Sequence, residues 1–327
     1  MRGRRSVRAL GEVGLIARLA KRLGRLTEPG APQRGVARKC RAMPIARPAS
    51  VVRGIGDDTA VLAAPQTGER LLFASDMLVE GVHFLRRRTA ARDIGWKALA
   101  CNVSDIAAMG GRPKWAVVSL GLPPSTPIQF VDGLYAGLER CAKHFGMAVV
   151  GGDMSRAPQI VIDVAIIGTA RPRDVVLRSG ACVGDALFVT GRLGGSYASG
   201  RHARFCPRVE AAQALVRRVR VHAMMDLSDG LASDARQMSR ASGAVLRIEA
   251  ARVPASRGCS LRQALTDGED FELLFAVGRA DAARVPARLG VVPVTRIGRV
   301  VRRGVGVELE QPSGRIEILR AEGFAHF

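Results

Sequence analysis

The chain has 327 residues, 47% of them hydrophobic, with 50 Lys and Arg against 29 Asp and Glu, for a net charge of +21. That length and apolar content suffice for a full core and point to two domains. No apolar run approaches the roughly 18 residues of a membrane span, and Ile160–Ile167 already carries Asp163, so no membrane partner is expected.

The positive charge alone would raise nucleic acid as a partner, but it is localised. Residues 1–53 hold 14 basic and two acidic residues, and only five of the 50 basic residues are lysine. Aromatic content is 4%, poor material for stacking bases, so no specific nucleic-acid partner is expected. The six cysteines (40, 101, 141, 182, 206 and 259) include no C-x-x-C pair. Cys101 and Cys141 fall at apolar helical positions and read as buried free thiols, which favours a cytoplasmic setting.

In chain order, Leu15, Ile16, Leu19 and Leu23 repeat at helical spacing and predict a surface-docked helix within residues 10–23. The Pro-, Arg- and Gly-rich stretch 24–50 reads as a linker or disordered insertion. Leu71–Ala74 is a strand leading into Ser75-Asp76. Asp93 is the expected N-cap of a helix carrying Ile94, Ala98, Leu99, Ile106 and Met109 and stopped by Gly110-Gly111. Trp115–Leu122 reads as a strand; Thr126-Pro127 opens a second helix that Gly146 ends. Met147–Val150 is a strand running into a Gly151-Gly152-Asp153 turn, and Ile160–Gly168 is another strand.

Arg171–Gly184, rich in Arg and Gly, marks a boundary. The expected organisation is a basic segment 1–50, an N-terminal α+β domain 51–170 and a C-terminal α+β domain 171–327. The second unit opens with strand Ala186–Thr190 and a glycine-rich turn, Gly191–Ser196, whose backbone N–H groups could cradle phosphate. Met224–Leu227 leads into Ser228-Asp229-Gly230 and a helix stopped by Gly243, with Asp229 as the expected N-cap; Leu246–Glu249 and Phe271–Val277 complete the strands.

Acid is scarce in this chain, yet seven aspartates sit in five short clusters beside glycine or serine. These are Gly54-Ile-Gly-Asp57-Asp58, Ser75-Asp76, Asn102-Val-Ser-Asp105, Gly151-Gly152-Asp153 and Asp226-Leu-Ser-Asp229-Gly230. Hard oxygen ligands at tight turns suit Mg²⁺, which completes its shell with water and substrate phosphates. Adjacent Asp57 and Asp58 point to different sides, so one can bind metal while the other braces the turn. Asp105 falls late on its helix, where the dipole disfavours an anion and a cation would compensate. No convincing nucleophile accompanies these acids, and direct phosphoryl transfer needs none. The pattern points to a Mg²⁺- and ATP-dependent phosphotransferase. Taken singly, each cluster also has an ordinary structural reading, as a turn, a cap or a solvated acid; their joint occurrence carries the weight.

With these residues, the chain resembles the thiamine-monophosphate kinases. The resemblance rests on Gly-Ile-Gly-Asp-Asp-x-Ala-Val-Leu (54–62), Ser-Asp-x-Leu-Val-Glu-Gly-Val-His-Phe (75–84) and Lys-Ala-Leu-Ala-x-Asn-Val-Ser-Asp-Ile-Ala-Ala-Met-Gly (97–110). It continues through Gly-Gly-Asp (151–153), Arg-Ser-Gly (178–180), Asp-Leu-Ser-Asp-Gly-Leu (226–231), Gly-Glu-Asp-Phe-Glu-Leu (268–273) and Gly-Phe-Ala-His-Phe (323–327). It implies an α+β, two-domain fold like that of aminoimidazole ribonucleotide synthetase, with N-terminal domains pairing across a homodimer into a β-barrel. It implies transfer of the ATP γ-phosphate to thiamine monophosphate with several Mg²⁺ ions. Asp58, Ser75, Asp76, Asp105, Asp153, Asp226 and Asp229 then correspond to the metal shell, with Ala74 able to contribute its main-chain carbonyl. Gly152, Arg178 and Ser228 correspond to nucleotide contacts, and His83, Glu269 and Phe324 to substrate contacts. Asp105, Asp226 and Arg178 are the expected catalytic groups.

The chain departs from the family pattern at Ala74, where Ser or Thr is usual, at Met154 and Asp267, and at Phe324, which keeps a stacking face and loses a polar handle. Rival readings are another ATP-using enzyme of the same superfamily and a catalytically silent relative that binds RNA or a membrane surface through the basic N-terminus.

Overall fold

A computed structural model describes residues 51–53, 57–63, 68–320 and 323; the expected helix at 10–23 and the 24–50 linker lie outside them. The first unit comprises β1 (Val51–Arg53), β2 (Ala60–Ala63), β3 (Arg70–Val79), α1 (Ala91–Ala108), β4 (Arg112–Leu122), α2 (Ile128–Phe145), β5 (Ala148–Arg156) and β6 (Val161–Ala170). Its strands form one mixed sheet in the order β1-β2-β3-β6-β4-β5, with only β4 and β5 parallel. The second unit comprises β7 (Ala186–Thr190), α3 (Val209–Arg218), β8 (Val221–Asp226), α4 (Leu231–Ser242), β9 (Ala244–Glu249), α5 (Leu261–Thr266) and β10 (Leu273–Val277). It continues with α6 (Arg279–Ala282), β11 (Arg288–Leu289), β12 (Val292–Arg303), β13 (Gly306–Glu310) and β14 (Ile316–Ile318). Its sheet runs β14-β13-β9-β12-β7-β10-β8, with the short β11 paired to β12.

Helix α1 positions the site. It is buried nearly all round, and only Ala91, Arg92, Asp93 and Asp105 of its residues are not buried. It is sandwiched among α2, β3 and β6 on one side and α3 and β8 on the other, so its last turn lies between the two units. Two glycines permit the close α1–α2 crossing. A Cβ added at Gly95 would fall 1.9 Å from the Leu134 carbonyl oxygen, and one at Gly137 would fall 2.0 Å from that of Arg92.

Alternation along β3 and β6 divides the first sheet into two faces. Leu72, Leu78, Ile162, Val164 and Ile166 pack inward under α1, whereas Phe73, Met77, Trp115 and Val117 are exposed on the other face.

Local expectations failed in three places. Asp93 lies in the first turn of α1, not at its cap, which is Ala90 with no side-chain bond. Gly151, Gly152 and Asp153 form no turn, because β5 continues through them, paired with β4 beyond a register shift at Val150. Gly230, not Asp229, precedes α4, and the Asp234 carboxylate accepts the Asp229 and Gly230 N–H groups at 3.1 Å each.

Candidate active site

Four chain segments bring acids together between the units. Asp58 lies just ahead of β2, Asp76 lies mid-β3, Asp105 sits in the last turn of α1, and Asp226 ends β8 with Asp229 just beyond. Carboxylate oxygens of Asp58, Asp105 and Asp226 all lie within 4.8 Å of one another. Asp76 shares the inward face of β3, and Asn102 on α1 accepts its N–H at 3.1 Å. Burial, then the charges of Asp58, Asp163 and Asp229, pushes the Asp76 carboxyl up to about 6. Burial and Asp58 push Asp226 up to about 7, although a 2.5 Å hydrogen bond from Ser104 opposes the rise. Burial, Asp76 and Asp226 hold Asp105 well above the usual carboxylate range. Such a cluster is stable in its ionised form only with added positive charge.

Arg178 is the cation in reach. Its guanidinium donates to Asp58 Oδ1 at 2.7 Å and to Gln237 Oε1 at 2.6 Å. Its backbone N–H donates to Asp57 Oδ1 at 3.0 Å, and Asp57 also accepts the Asp58 N–H at 3.1 Å. Asp57 is therefore the brace of the pair, as the adjacent carboxylates implied, and Asp58 is the acid turned into the cleft. Among the described residues, Asp58 Oδ2 and Arg178 Nε are buried without a hydrogen-bond partner. An unsatisfied buried acceptor and donor side by side are costly unless a ligand completes them. Hard oxygen donors in this number fit a divalent cation, and the free guanidinium donor fits a phosphate oxygen beside it.

A second constellation adjoins the cluster through α1. Lys97, 1% exposed, donates to Glu269 Oε1 at 2.5 Å and to the His83 carbonyl at 2.9 Å. His83 Nδ1 accepts the Val79 N–H at 3.0 Å, so its Nδ1 carries no proton and its Nε2 is the protonated nitrogen of the neutral ring. Glu269 and Phe271 hold positive φ values of 52° and 49°, strained for non-glycine residues. That segment is clamped by Glu269 N to the Ser228 carbonyl at 2.7 Å and by Ser196 Oγ to the Glu269 carbonyl at 2.6 Å. Arg201 adds an ion pair to Asp270, and Arg208 one to Glu272. Lys97 was not singled out from the sequence as a site residue; a lone lysine amid the apolar positions of α1 was the available signal.

The other expected residues are placed as follows. Ser228 is half-buried in the loop between Asp226 and Asp229. Ala74 is half-buried on β3, opposite Ile166. Ser75 turns away from the acids: its hydroxyl lies on the outer face and donates to Asp163 Oδ1 at 3.0 Å. Gly152 occupies the cross-strand row Asp76–Val164–Val118–Gly152, three strand spacings or about 14 Å from Asp76. An added Cβ there would fall 1.8 Å from the Val118 carbonyl oxygen. Asp153 is exposed in the next row, on the outer face with Ser119, and no interaction among the described residues joins it to the cluster. Phe324 lies outside the described residues; Gly323 before it packs so closely that an added Cβ would fall 2.4 Å from the Asp229 carbonyl oxygen. The Gly191–Ser196 turn is not an open phosphate cradle. Asp270 accepts the Gly194 N–H at 2.9 Å and Asp267 accepts that of Gly195 at 2.9 Å.

With this geometry in hand, the comparisons are specific. Residues 56–170 match the model of the AIR synthase related protein, N-terminal domain, and residues 183–310 that of its C-terminal domain. The thiamine-monophosphate kinase of Rhodopirellula baltica is 40% identical over 294 residues, covering 84% of this chain and 92% of that protein. That of Synechococcus elongatus is 36% identical, covering 83% and 91%. A solved structure described as AaThiL complexed with AMPPCP and TMP superimposes with a TM-score of 0.81 at 31% identity, over 100% of both chains. The two-unit fold, the acids gathered between the units and these relatives agree: the chain belongs to the thiamine-monophosphate kinase family.

Proposed function

We infer that this chain transfers the γ-phosphoryl group of ATP to thiamine monophosphate, giving thiamine diphosphate and ADP. The observation that carries the reading is the convergence of Asp58, Asp76, Asp105 and Asp226 on Arg178 between the units, with a buried acceptor and a buried donor left for ligands. The resemblance over the full chain to a relative described with AMPPCP and TMP supports it.

Asp58, Asp76, Asp105, Asp226 and Asp229 would hold Mg²⁺, with the Ala74 carbonyl alongside. When bound, the ions screen the repulsion between two anionic phosphates and withdraw charge from the transferring group. Arg178 contacts the transferring phosphate through the donor it has left, and Ser228 contributes a nucleotide contact. Gly152 lets the backbone lie close where a side chain would block it, about 14 Å from Asp76, a span that an extended nucleotide bridges. Asp153, and Ser75 by its carbonyl, would hold a further ion apart from the acid cluster. The His83–Lys97–Glu269 network orients the thiamine phosphate, with His83 Nε2–H as phosphate donor and Glu269 facing the vitamin's amino or cationic groups. Phe324 is the aromatic assigned to stacking on its rings.

The domains divide in the 171–184 connection. The exposed face bearing Phe73, Met77, Trp115 and Val117 is an apolar surface of the kind buried between copies, and we assign it to a homodimer closing into a β-barrel. Among the described residues no helix is long and apolar enough to cross a membrane, and five cysteines are free; we read a cytoplasmic setting.

The test is to incubate the purified chain with ATP, Mg²⁺ and thiamine monophosphate and to separate the products. Thiamine diphosphate and ADP in equal amounts are expected. ADP formed with a different phosphate acceptor and not with this one would move the reading elsewhere in the superfamily.

A further inference from the structure

Three side chains of different chemistry meet at the far end of the segment that carries Arg178. Residues 177–185 run beside β8: Met224 N donates to the Leu177 carbonyl at 3.0 Å, and a Cβ added at Gly180 would meet the His222 carbonyl oxygen at 2.4 Å. This alignment sets Arg178 near Asp226 at the end of β8, and Cys182 and Asp185 near His222 at its start. Cys182 Sγ, a carboxylate oxygen of Asp185 and a ring nitrogen of His222 all lie within 4.8 Å of one another.

Asp185 Oδ2 accepts the Cys182 N–H at 2.8 Å and lies 2.9 Å from His222 Nδ1. Asp185 is 3% exposed whereas Cys182 is exposed, so the cluster has a buried floor and an open side. A hydrogen-bonded latch accounts for Asp185 and His222. It gives the thiol no role, since among the described residues Cys182 Sγ reaches only the Gly180 carbonyl, at 3.4 Å.

We propose that Cys182, Asp185 and His222 form a transition-metal site of the Zn²⁺ class, its fourth position open to water and distinct from the acidic Mg²⁺ cluster. One sulfur, one nitrogen and one oxygen donor suit a borderline-soft tetrahedral ion and are a poor set for Mg²⁺. The fit is close. Bonds of about 2.0–2.2 Å at a tetrahedral angle separate the nitrogen and oxygen ligands by roughly 3.4 Å, half an ångström beyond the 2.9 Å of the unliganded pair. Binding displaces the thiol proton and the proton shared by His222 and Asp185, and both leave to water. The ion then pins the segment four residues from Arg178.

Co²⁺ is the probe, because a Co²⁺–thiolate bond gives a near-ultraviolet charge-transfer band that oxygen ligands do not. The full chain, stripped with chelator and held in excess Mg²⁺, is titrated with Co²⁺ and then with Zn²⁺. The wild type should develop the band with one Co²⁺ per chain and lose it to Zn²⁺. Cys182→Ser should abolish it, and His222→Ala should weaken binding at least about tenfold. Cys206→Ser is the control, since Cys206 lies 3.6 Å from His144 Nε2 and offers the competing pair. No band in the wild type, a band that survives in Cys182→Ser, or one that disappears in Cys206→Ser overturns the proposal. Cys182 is exposed, so its replacement leaves the core intact; Asp185→Asn is avoided because Asp185 also holds the local backbone.

Discussion

Asp226→Asn separates activity from stability in opposite directions. In the metal-free fold the Asp226 carboxyl is raised from 3.8 to about 7, by burial and then by Asp58. A carboxyl with a raised pKa holds its proton more tightly folded than unfolded. The penalty for ionising it therefore grows from about pH 4 to about pH 7 and is complete above that. Three units at 1.36 kcal/mol each give about 4 kcal/mol. Asparagine removes the charge and keeps an oxygen acceptor for Ser104, and the favourable pull of Arg178 on the carboxylate is already contained in that net rise. A net gain of about 2–4 kcal/mol at pH 8 is expected, several degrees in Tm. Melting followed by circular dichroism at pH 8 in chelator should place the variant above wild type. Addition of Mg²⁺ with a nonhydrolysable ATP analogue should raise the wild type and leave the variant nearly unmoved, with kinase turnover lost. A variant that melts at or below wild type in chelator and keeps its turnover would refute both the electrostatic account and the metal role.

Other outcomes follow from the same geometry. Lys97→Met strands the Glu269 carboxylate and the His83 carbonyl; about 3 kcal/mol of stability should be lost, with KM for thiamine monophosphate rising more than KM for ATP in steady-state assays. Gly152→Ala places a methyl 1.8 Å from a carbonyl oxygen and should displace β5 and weaken nucleotide affinity by calorimetry. Gly146→Ala, with φ +63° and open space, should cost only about 1 kcal/mol and leave affinity unchanged. Trp115→Glu on the exposed face should give monomers in sedimentation velocity without loss of secondary structure. Wild-type sedimentation as a monomer at micromolar concentration would remove the dimer from the account.

The parts of the site that the sequence made legible are those written locally. Asp58, Asp105 and Asp226 each have an ordinary reading when taken singly, but so many acids beside glycine or serine in an acid-poor chain marked them together, and they are the three that converge. The division of labour between Asp57 and Asp58 was legible because adjacent carboxylates point to different sides. What stayed hidden depends on partners distant in sequence. The Gly191–Ser196 turn looked like a phosphate cradle until Asp267 and Asp270, more than seventy residues on, occupied its N–H groups. Lys97 meets Glu269 across 172 positions, and Cys182 meets His222 across a strand. Gly151-Gly152-Asp153 read as a turn because glycine pairs usually are one; pairing with β4 overrode that tendency and carried the strand through to Arg156.

The central claim, that these acids grip divalent ions between a nucleotide and a phosphorylated vitamin, is tested most directly with Mn²⁺. Crystals grown with Mn²⁺, a nonhydrolysable ATP analogue and thiamine monophosphate should give anomalous density among Asp58, Asp105 and Asp226, next to the polyphosphate and Arg178. Nucleotide bound with no such density there, or metal density held only at unrelated acids, would contradict the account.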